Sequence, residues 1–344
     1  MSSESTRVRP ALWREPEGAL PNTLALGYAF GGQALGLWLL VQPGLLPFLA
    51  GTLLTAHSLV IAAYLVHECA HMTLFRERRV NARVGEALLW VVGAAYASFE
   101  RVRRMHIRHH RDRADIYCFD YQAFLKRLPA PLRKAVYALE WAYVPAVELI
   151  MHTQVIVRPF FAEHLAGEQR RVLLVGASRL ALFVGLFLLN PWSLLGYAIA
   201  YMAMIHALFL ADAYAHTYEA YAVVRGDEPV PDGGRDREYD VEHTYSNLVS
   251  TRWPWLNLLN LNFGYHTAHH ERAAEPWYGL PALHRTLYGG DDHPQVLPYR
   301  ELWRSLHRNR LKRILVDDWG EVGTGPGRAD GFVGMHGVSF LSIV

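Results

Sequence analysis

The stretch from Leu24 to His71 reads LALGYAFGGQALGLWLLVQPGLLPFLAGTLLTAHSLVIAAYLVHECAH. No Asp, Glu, Lys or Arg occurs between Leu24 and Val66. An apolar run of that length is enough for two membrane spans of about 20 residues each. Gln42-Pro43-Gly44 interrupts the run and suits a tight turn. The pattern predicts a hairpin of spans at Leu24–Val41 and Leu45–Val66. The end of the stretch adds chemistry, because His67-Glu68-Cys69-Ala70-His71 follows the second span at once. Residues four apart on a helix are neighbours on one face, so His67 and His71 point the same way.

The same pattern returns later in the chain. Val172–Leu189 and Trp192–Ala211 predict a second hairpin, turning at Asn190-Pro191, with Arg179 the one charge inside its first span. A lone Arg there fits if its side chain reaches the near interface or if the span starts later. Neither hairpin turn carries a charge. Arg76, Arg78, Arg79, Arg83, Arg101, Arg103, Arg104, Arg108, Arg111 and Arg113 crowd the segment between the hairpins. The positive-inside rule then predicts that the N-terminal tail, this central segment and the C-terminal part face the cytosol. The expected architecture is an all-α membrane protein. It has two transmembrane hairpins (four spans) and a helical cytosolic cap. The tail is expected at residues 1–23, the membrane unit with its cap segments 67–171 and 212–320 at 24–320, and a C-terminal tail at 321–344. Ala87–Phe99 is apolar but too short to span, which suggests an interfacial or re-entrant helix. Val136–Val157 suggests one amphipathic or core helix, and Arg225–Tyr239, with Gly226, Pro229, Pro231, Gly233 and Gly234, a loop. Val338–Val344 is apolar, with no role legible.

Two further clusters match the first. His106-Ile107-Arg108-His109-His110 and His266-Thr267-Ala268-His269-His270 both read HxxHH. Neutral imidazole is the commonest metal ligand among side chains. Eight such rings exceed what one four-coordinate ion uses, so the count points to two metal ions. All three boxes fall on the side predicted to be cytosolic. Past the fourth span, Asp212 and His216 again stand four apart, and both join the candidate ligands. His243, in Glu242-His243-Thr244-Tyr245, is a further candidate. Asp112, Asp115 and Glu242 are candidate acceptors for the second ring nitrogens. His206 reads as a hydrogen-bonded structural histidine.

Composition excludes several classes. Two cysteines, Cys69 and Cys118, build neither a disulfide framework nor a Cys-based iron–sulfur site. The net charge is +2 and no nucleic-acid motif occurs. Met1–Gly18 is polar and has no apolar core of a signal peptide.

With its boxes HxxxH, HxxHH and HxxHH in this order relative to the spans, the chain resembles the membrane fatty acid desaturase and hydroxylase superfamily. Asp212-Ala213-Tyr214-Ala215-His216 is similar to the family's additional ligand site, with Asp where the family has Asn or a similar residue. Asn257-Leu-Leu-Asn-Leu-Asn-Phe-Gly-Tyr-His-Thr-Ala-His-His270 resembles the family's run into its last box. The resemblance implies two iron ions as cofactor, O2 as oxidant, and an aliphatic C–H bond of a fatty acid or acyl substrate as target. Desaturation is the expected outcome. Hydroxylation, or oxidative decarboxylation to a 1-alkene, would use the same site. Asp212–Tyr221 and Glu242–Asn247 look similar to bacterial branches, including 1-alkene-forming fatty acid decarboxylases, which implies a bacterial inner membrane. Arg101, Arg104, Arg108 and Arg111 are candidates for holding a carboxylate or a carrier phosphate, since Arg suits bidentate anion recognition. No haem, flavin or nicotinamide fingerprint is visible, so electrons are expected from a separate ferredoxin or rubredoxin with its reductase.

The first box is also a literal His-Glu-x-x-His, the zinc metalloprotease motif with Glu68 as general base. An intramembrane zinc protease is therefore a rival reading; it leaves both HxxHH boxes unexplained. A non-catalytic metal transporter is a third, disfavoured because transporters place ligands near the bilayer midplane.

Overall fold

The computed structural model describes residues 12–222, 228–231 and 235–336. Helices α1 (Pro16–Val41) and α2 (Leu45–Ala70) form the first pair. Gly44 starts α2 with φ 104°, a backbone that glycine adopts without strain. Helices α3 (Arg78–Val92) and α4 (Phe99–Asp112) follow. A short strand β1 (Asp115–Tyr117) leads to α5 (Tyr121–Arg127), α6 (Ala130–Trp141) and α7 (Ala146–Val157). The second pair is α8 (Gln169–Leu189) and α9 (Trp192–Asp212). Beyond it lie β2 (Ala220–Ala222), α10 (Arg237–Glu242), α11 (His266–Glu271), α12 (Leu280–Tyr288) and α13 (Tyr299–Asn309).

Helices α1, α2, α8 and α9 are long and apolar enough to cross a membrane. At 26 residues, α2 is about 39 Å long. The outward faces of these helices are apolar: Leu46 is 78% and Leu188 76% exposed, beside Leu53, Leu173 and Leu189. Such a belt is rare on a soluble protein and natural in hydrocarbon. Helix α2 lies at the centre, packed on α1, α3 and α9. Small residues let the helices close on each other, as is usual between membrane helices. A Cβ on Gly36 would lie 2.9 Å from the Thr55 amide nitrogen, so that position admits nothing larger.

Several boundaries differ from the sequence expectation. Helix α1 starts at Pro16, ahead of Leu24, because charge marks where lipid ends and not where helix geometry ends. For the same reason α2 runs past Val66 through the first box. The apolar Ala87–Phe99 segment is split. Helix α3 stops at Gly93, with φ 91°, and the Ser98 hydroxyl starts α4 by accepting the Arg101 amide. Val136–Val157 is likewise two helices, broken at Tyr143 (φ 61°) and Pro145. Arg179 does not need to reach an interface, because it donates to the Trp90 carbonyl and approaches the Tyr197 hydroxyl. Part of the expected loop at Arg225–Tyr239 is the start of α10, while 223–227 and 232–234 lie outside the described residues. So do 1–11 of the N-terminal tail and the apolar end at Val338–Val344. The described part of the C-terminal tail folds back into the core: the Met335 amide donates to the Ala213 carbonyl at 2.7 Å, and Phe332 is fully buried against Tyr214 and Tyr245.

The α6–α7 break carries a testable charge. Glu140 Oε1 accepts the Val147 amide at 2.7 Å, and burial pushes its carboxyl pKa up to about 7. A carboxyl raised in the fold contributes stability that is present below the unfolded value and lost as pH rises through about 7. The loss is on the order of 3 kcal/mol. Glu140→Gln keeps an acceptor and cannot ionise. Thermal melts are therefore expected to show the variant more stable than the parent above pH 7 and equal to it near pH 4.5.

Candidate metal centre

Four segments bring the boxes together. His67 lies in the last turn of α2 and His71 caps it. His106, His109 and His110 lie on α4, and His266, His269 and His270 on α11. His216 follows α9 by one turn. Parallel pairing of β1 with β2 ties the residues after the second box to those after His216. Helix α11 is docked by Ser246, whose hydroxyl meets Thr267 Oγ1 at 2.7 Å and accepts the Thr267 amide. Gly264 permits this approach, since a Cβ there would run into the Asn247 backbone. Asn247 in turn donates to the Ala211 carbonyl at the end of α9.

The nine histidines divide into two groups. His67, His71, His106, His110 and His269 form the first; His109, His216, His266 and His270 form the second. Within each group the ligand atoms all lie within 4.8 Å of one another. The division explains the HxxHH spacing. On α4 the i, i+4 pair His106 and His110 serves the first group and His109 the second. On α11 the i, i+4 pair His266 and His270 serves the second group and His269 the first. Each HxxHH box thus bridges both groups, while the first box, His67 and His71, serves the first group alone.

Ring nitrogens converge in a way that fits metal ions. Nε2 atoms of His71 and His106 lie 2.7 Å apart, those of His106 and His110 3.2 Å, and those of His110 and His269 3.2 Å. In the second group, His216 and His266 Nε2 lie 2.9 Å apart. Two nitrogens bound to one ion at about 2.1 Å sit roughly 3.0–3.4 Å apart. His270 Nε2 is buried without a hydrogen-bond partner. Burial, the largest influence, pushes the pKa values of His71, His106, His110, His216, His266, His269 and His270 well down. These rings are therefore neutral near pH 7, with lone pairs to donate. At His109 burial also acts downward, but the Asp115 carboxylate and the Ala114 carbonyl outweigh it and the net shift is upward.

The outer nitrogens meet acceptors. His109 Nδ1 lies 3.1 Å from Asp115 Oδ1, His270 Nδ1 3.2 Å from Asp240 Oδ1, and His216 Nδ1 3.2 Å from Thr244 Oγ1. Such partners fix the tautomer and turn Nε2 toward an ion. Of the acceptors expected from sequence, Asp115 takes this place. Asp112 pairs instead with Arg108 and Arg111, each at 2.7 Å, and Glu242 is exposed. Asp240 and Thr244 were not legible; the short helix α10 turns Asp240 inward and Glu242 outward. Asp240→Ala is expected to weaken metal binding by about 10–100-fold, chiefly at the second group. Titration of the apoprotein with Fe2+ or Co2+ measures it.

Asp212 and His243 fall in neither group. Asp212 is buried at the end of α9, where its charge adds to burial in raising the Tyr299 phenol. His243 Nδ1 donates to the Tyr239 carbonyl at 2.8 Å and its ring stacks on Tyr239, so that ring faces away from the cluster. His206 is hydrogen-bonded to backbone as expected, its Nε2 donating to the Tyr143 carbonyl at 2.7 Å. Since a carbonyl only accepts, its Nε2 carries the proton. Among the candidate anion-binding arginines, Arg108 and Arg111 are committed to Asp112, Arg101 is half-buried and Arg104 exposed.

Glu68 is placed to hold structure. Its Oε2 accepts the Thr73 hydroxyl at 2.6 Å and the Trp277 amide at 3.1 Å, and Oε1 lies 3.4 Å from His67 Nδ1. A protease base has to reach a metal-bound water, and this carboxylate is turned to the outer side of His67. Glu68→Gln is expected to keep its metal and measurable oxidation of an acyl substrate. A metalloprotease would lose all activity.

No curated protein matches the chain. Residues 43–303 match the family model described as fatty acid desaturase. That match takes in α2, the second helix pair, all three boxes and His216, and on this ground the chain belongs to the fatty acid desaturase family, with the oxidase activity on fatty acyl chains, the use of O2 and the membrane setting that this membership carries.

Proposed function

We propose that the protein is a di-iron oxidase that desaturates the chain of a fatty acid or fatty acyl substrate. The observation that carries this reading is the division of nine histidines, seven of them buried and two partly buried, into groups of five and four, with each HxxHH box serving both. An all-imidazole donor set suits iron as it does zinc, copper and nickel, and the desaturase family membership favours iron among these. Iron bound there would supply the O2-dependent oxidising power that an unactivated methylene requires.

The remaining work belongs to the chain. The histidines hold fixed positions through Asp115, Asp240 and Thr244. Phe263 closes the membrane-facing side, with ring centroids 5.0 Å from His67 and 4.9 Å from His266, and Tyr64 packs behind it at 4.8 Å. This wall keeps water from the cluster and offers apolar contact to an acyl chain. Both helix pairs end at the site, so a chain lying in the bilayer reaches it without crossing water. The arginine-rich cap lies on the cytosolic side by the positive-inside rule. Its location is a bacterial inner membrane. Electrons come from a separate ferredoxin or rubredoxin with its reductase.

Membranes containing the protein, supplied with O2, a ferredoxin system and medium- or long-chain fatty acid, test the reading by mass spectrometry. An acid two hydrogens lighter supports desaturation. An alcohol or a terminal alkene would instead assign hydroxylation or decarboxylation to the same site. No oxidised product from free acid, acyl carrier protein, CoA or lipid donors would overturn the reading.

A further inference from the structure

Four aromatic rings lie nearly parallel in a row from the second histidine group to the protein surface. Tyr218 stacks on His216, with centroids 4.1 Å apart and 14° between planes. Tyr239 follows at 5.8 Å and 18°, and His243 stacks on Tyr239 at 4.0 Å and 20°. Tyr218 is fully buried, while Tyr239 and His243 are partly exposed. His243 lines an open cavity of about 940 Å³. The Tyr218 hydroxyl donates to Asp240 Oδ1 and lies 3.1 Å from Thr244 Oγ1. Aromatic pairs adopt edge-to-face geometry as readily as stacking, so three consecutive near-parallel pairs are a specific arrangement.

We infer that Tyr218 and Tyr239 form a relay that carries oxidising equivalents from the histidine site to the surface when no acyl chain is bound. The inference rests on the O2-dependent oxidase reading. A phenolic O–H bond is weaker than a methylene C–H bond, so a site able to take hydrogen from an acyl chain is able to oxidise tyrosine. The first step moves one electron from Tyr218 to the oxidised site and its phenolic proton to Asp240, leaving a neutral phenoxyl radical. In the second, Tyr239 gives an electron to that radical, Asp240 returns the proton to Tyr218, and the Tyr239 proton leaves to solvent. A soluble one-electron reductant of the thiol or ascorbate class then restores Tyr239, with a proton from water. With an acyl chain in place, its C–H bond is the competing and nearer donor.

The iron-loaded full chain, reduced with dithionite and mixed with O2, tests the relay by freeze-quench electron paramagnetic resonance and by peptide mapping of oxidised residues. Without fatty acid, a tyrosyl radical is expected, with oxidation concentrated on Tyr239. With fatty acid, both fall at least several-fold. Tyr218→Phe removes the radical at unchanged metal content. Tyr239→Phe, remote from every ligand, keeps a radical on Tyr218 and prolongs it. No tyrosyl signal, or one unaffected by either substitution, overturns the relay. Product formation from fatty acid is followed in the same samples. Product without a tyrosine-dependent radical overturns the relay alone. Neither product nor O2 uptake overturns the oxidase reading and the relay with it.

Discussion

Replacing His106 with Ala lowers turnover by more than about 100-fold and leaves only the second histidine group able to hold a full-strength ion. His216→Ala does the converse. The size follows from position. Loss of an outer partner of a metal-bound histidine already costs about 10–100-fold in affinity or activity, and these substitutions remove the ligand itself. His106 Nε2 lies within 3.2 Å of both His71 and His110, so its loss opens the middle of the first group. His216 is one of only four rings in the second. Metal content measured beside activity separates this from unfolding: each variant should retain about half the metal of the parent. His243→Ala, by contrast, is expected to keep full metal content, because that ring lies on Tyr239 outside both groups.

Chelation of the metal lowers the melting temperature by more than about 10 °C. An ion present at about 1,000 times its Kd stabilises the folded state by roughly 4 kcal/mol per site, and each kcal/mol is worth about 1.4 °C in a chain of 344 residues, so two sites together give about 11 °C. Acid acts in the same direction on the apoprotein. Burial depresses the pKa values of seven of these histidines, so the fold holds them neutral while the unfolded chain protonates them. For a base with a lowered folded pKa, stability is complete above the unfolded value, near 6.5, and is lost as pH falls below it. Each such group contributes up to about 1.4 kcal/mol per pH unit. Scanning calorimetry of holo and apo protein between pH 8 and pH 5 should show both effects. A melting temperature indifferent to chelator would argue that no metal is bound.

The boxes and spans were legible because each rests on a local rule. Histidines at i, i+3 and i+4 announce a helical face, and a run free of charge announces lipid. The split of each HxxHH box between two histidine groups was not legible, since spacing alone does not say that two adjacent histidines such as His109 and His110 face different neighbours. Asp240 was missed for a related reason. It lies 30 residues from His270 in sequence, and only the turn of α10 brings it to the ring. His243 and Asp212 carried the right chemistry at the right place along the chain, but the backbone directs them to Tyr239 and toward Tyr299. The C-terminal tail gave no periodic signal, because Phe332 and Met335 are held by long-range contacts and not by a helical face. The helix breaks at Gly93 and Tyr143 depend on left-handed backbone that only Gly93 advertises.

Elemental analysis of the protein purified from iron-replete cells tests the di-iron centre most directly. Two iron atoms per chain are predicted, falling to about one in His106→Ala or His216→Ala. One zinc per chain, unaffected by loss of His216, would contradict a two-metal oxidase and return the first box to a protease.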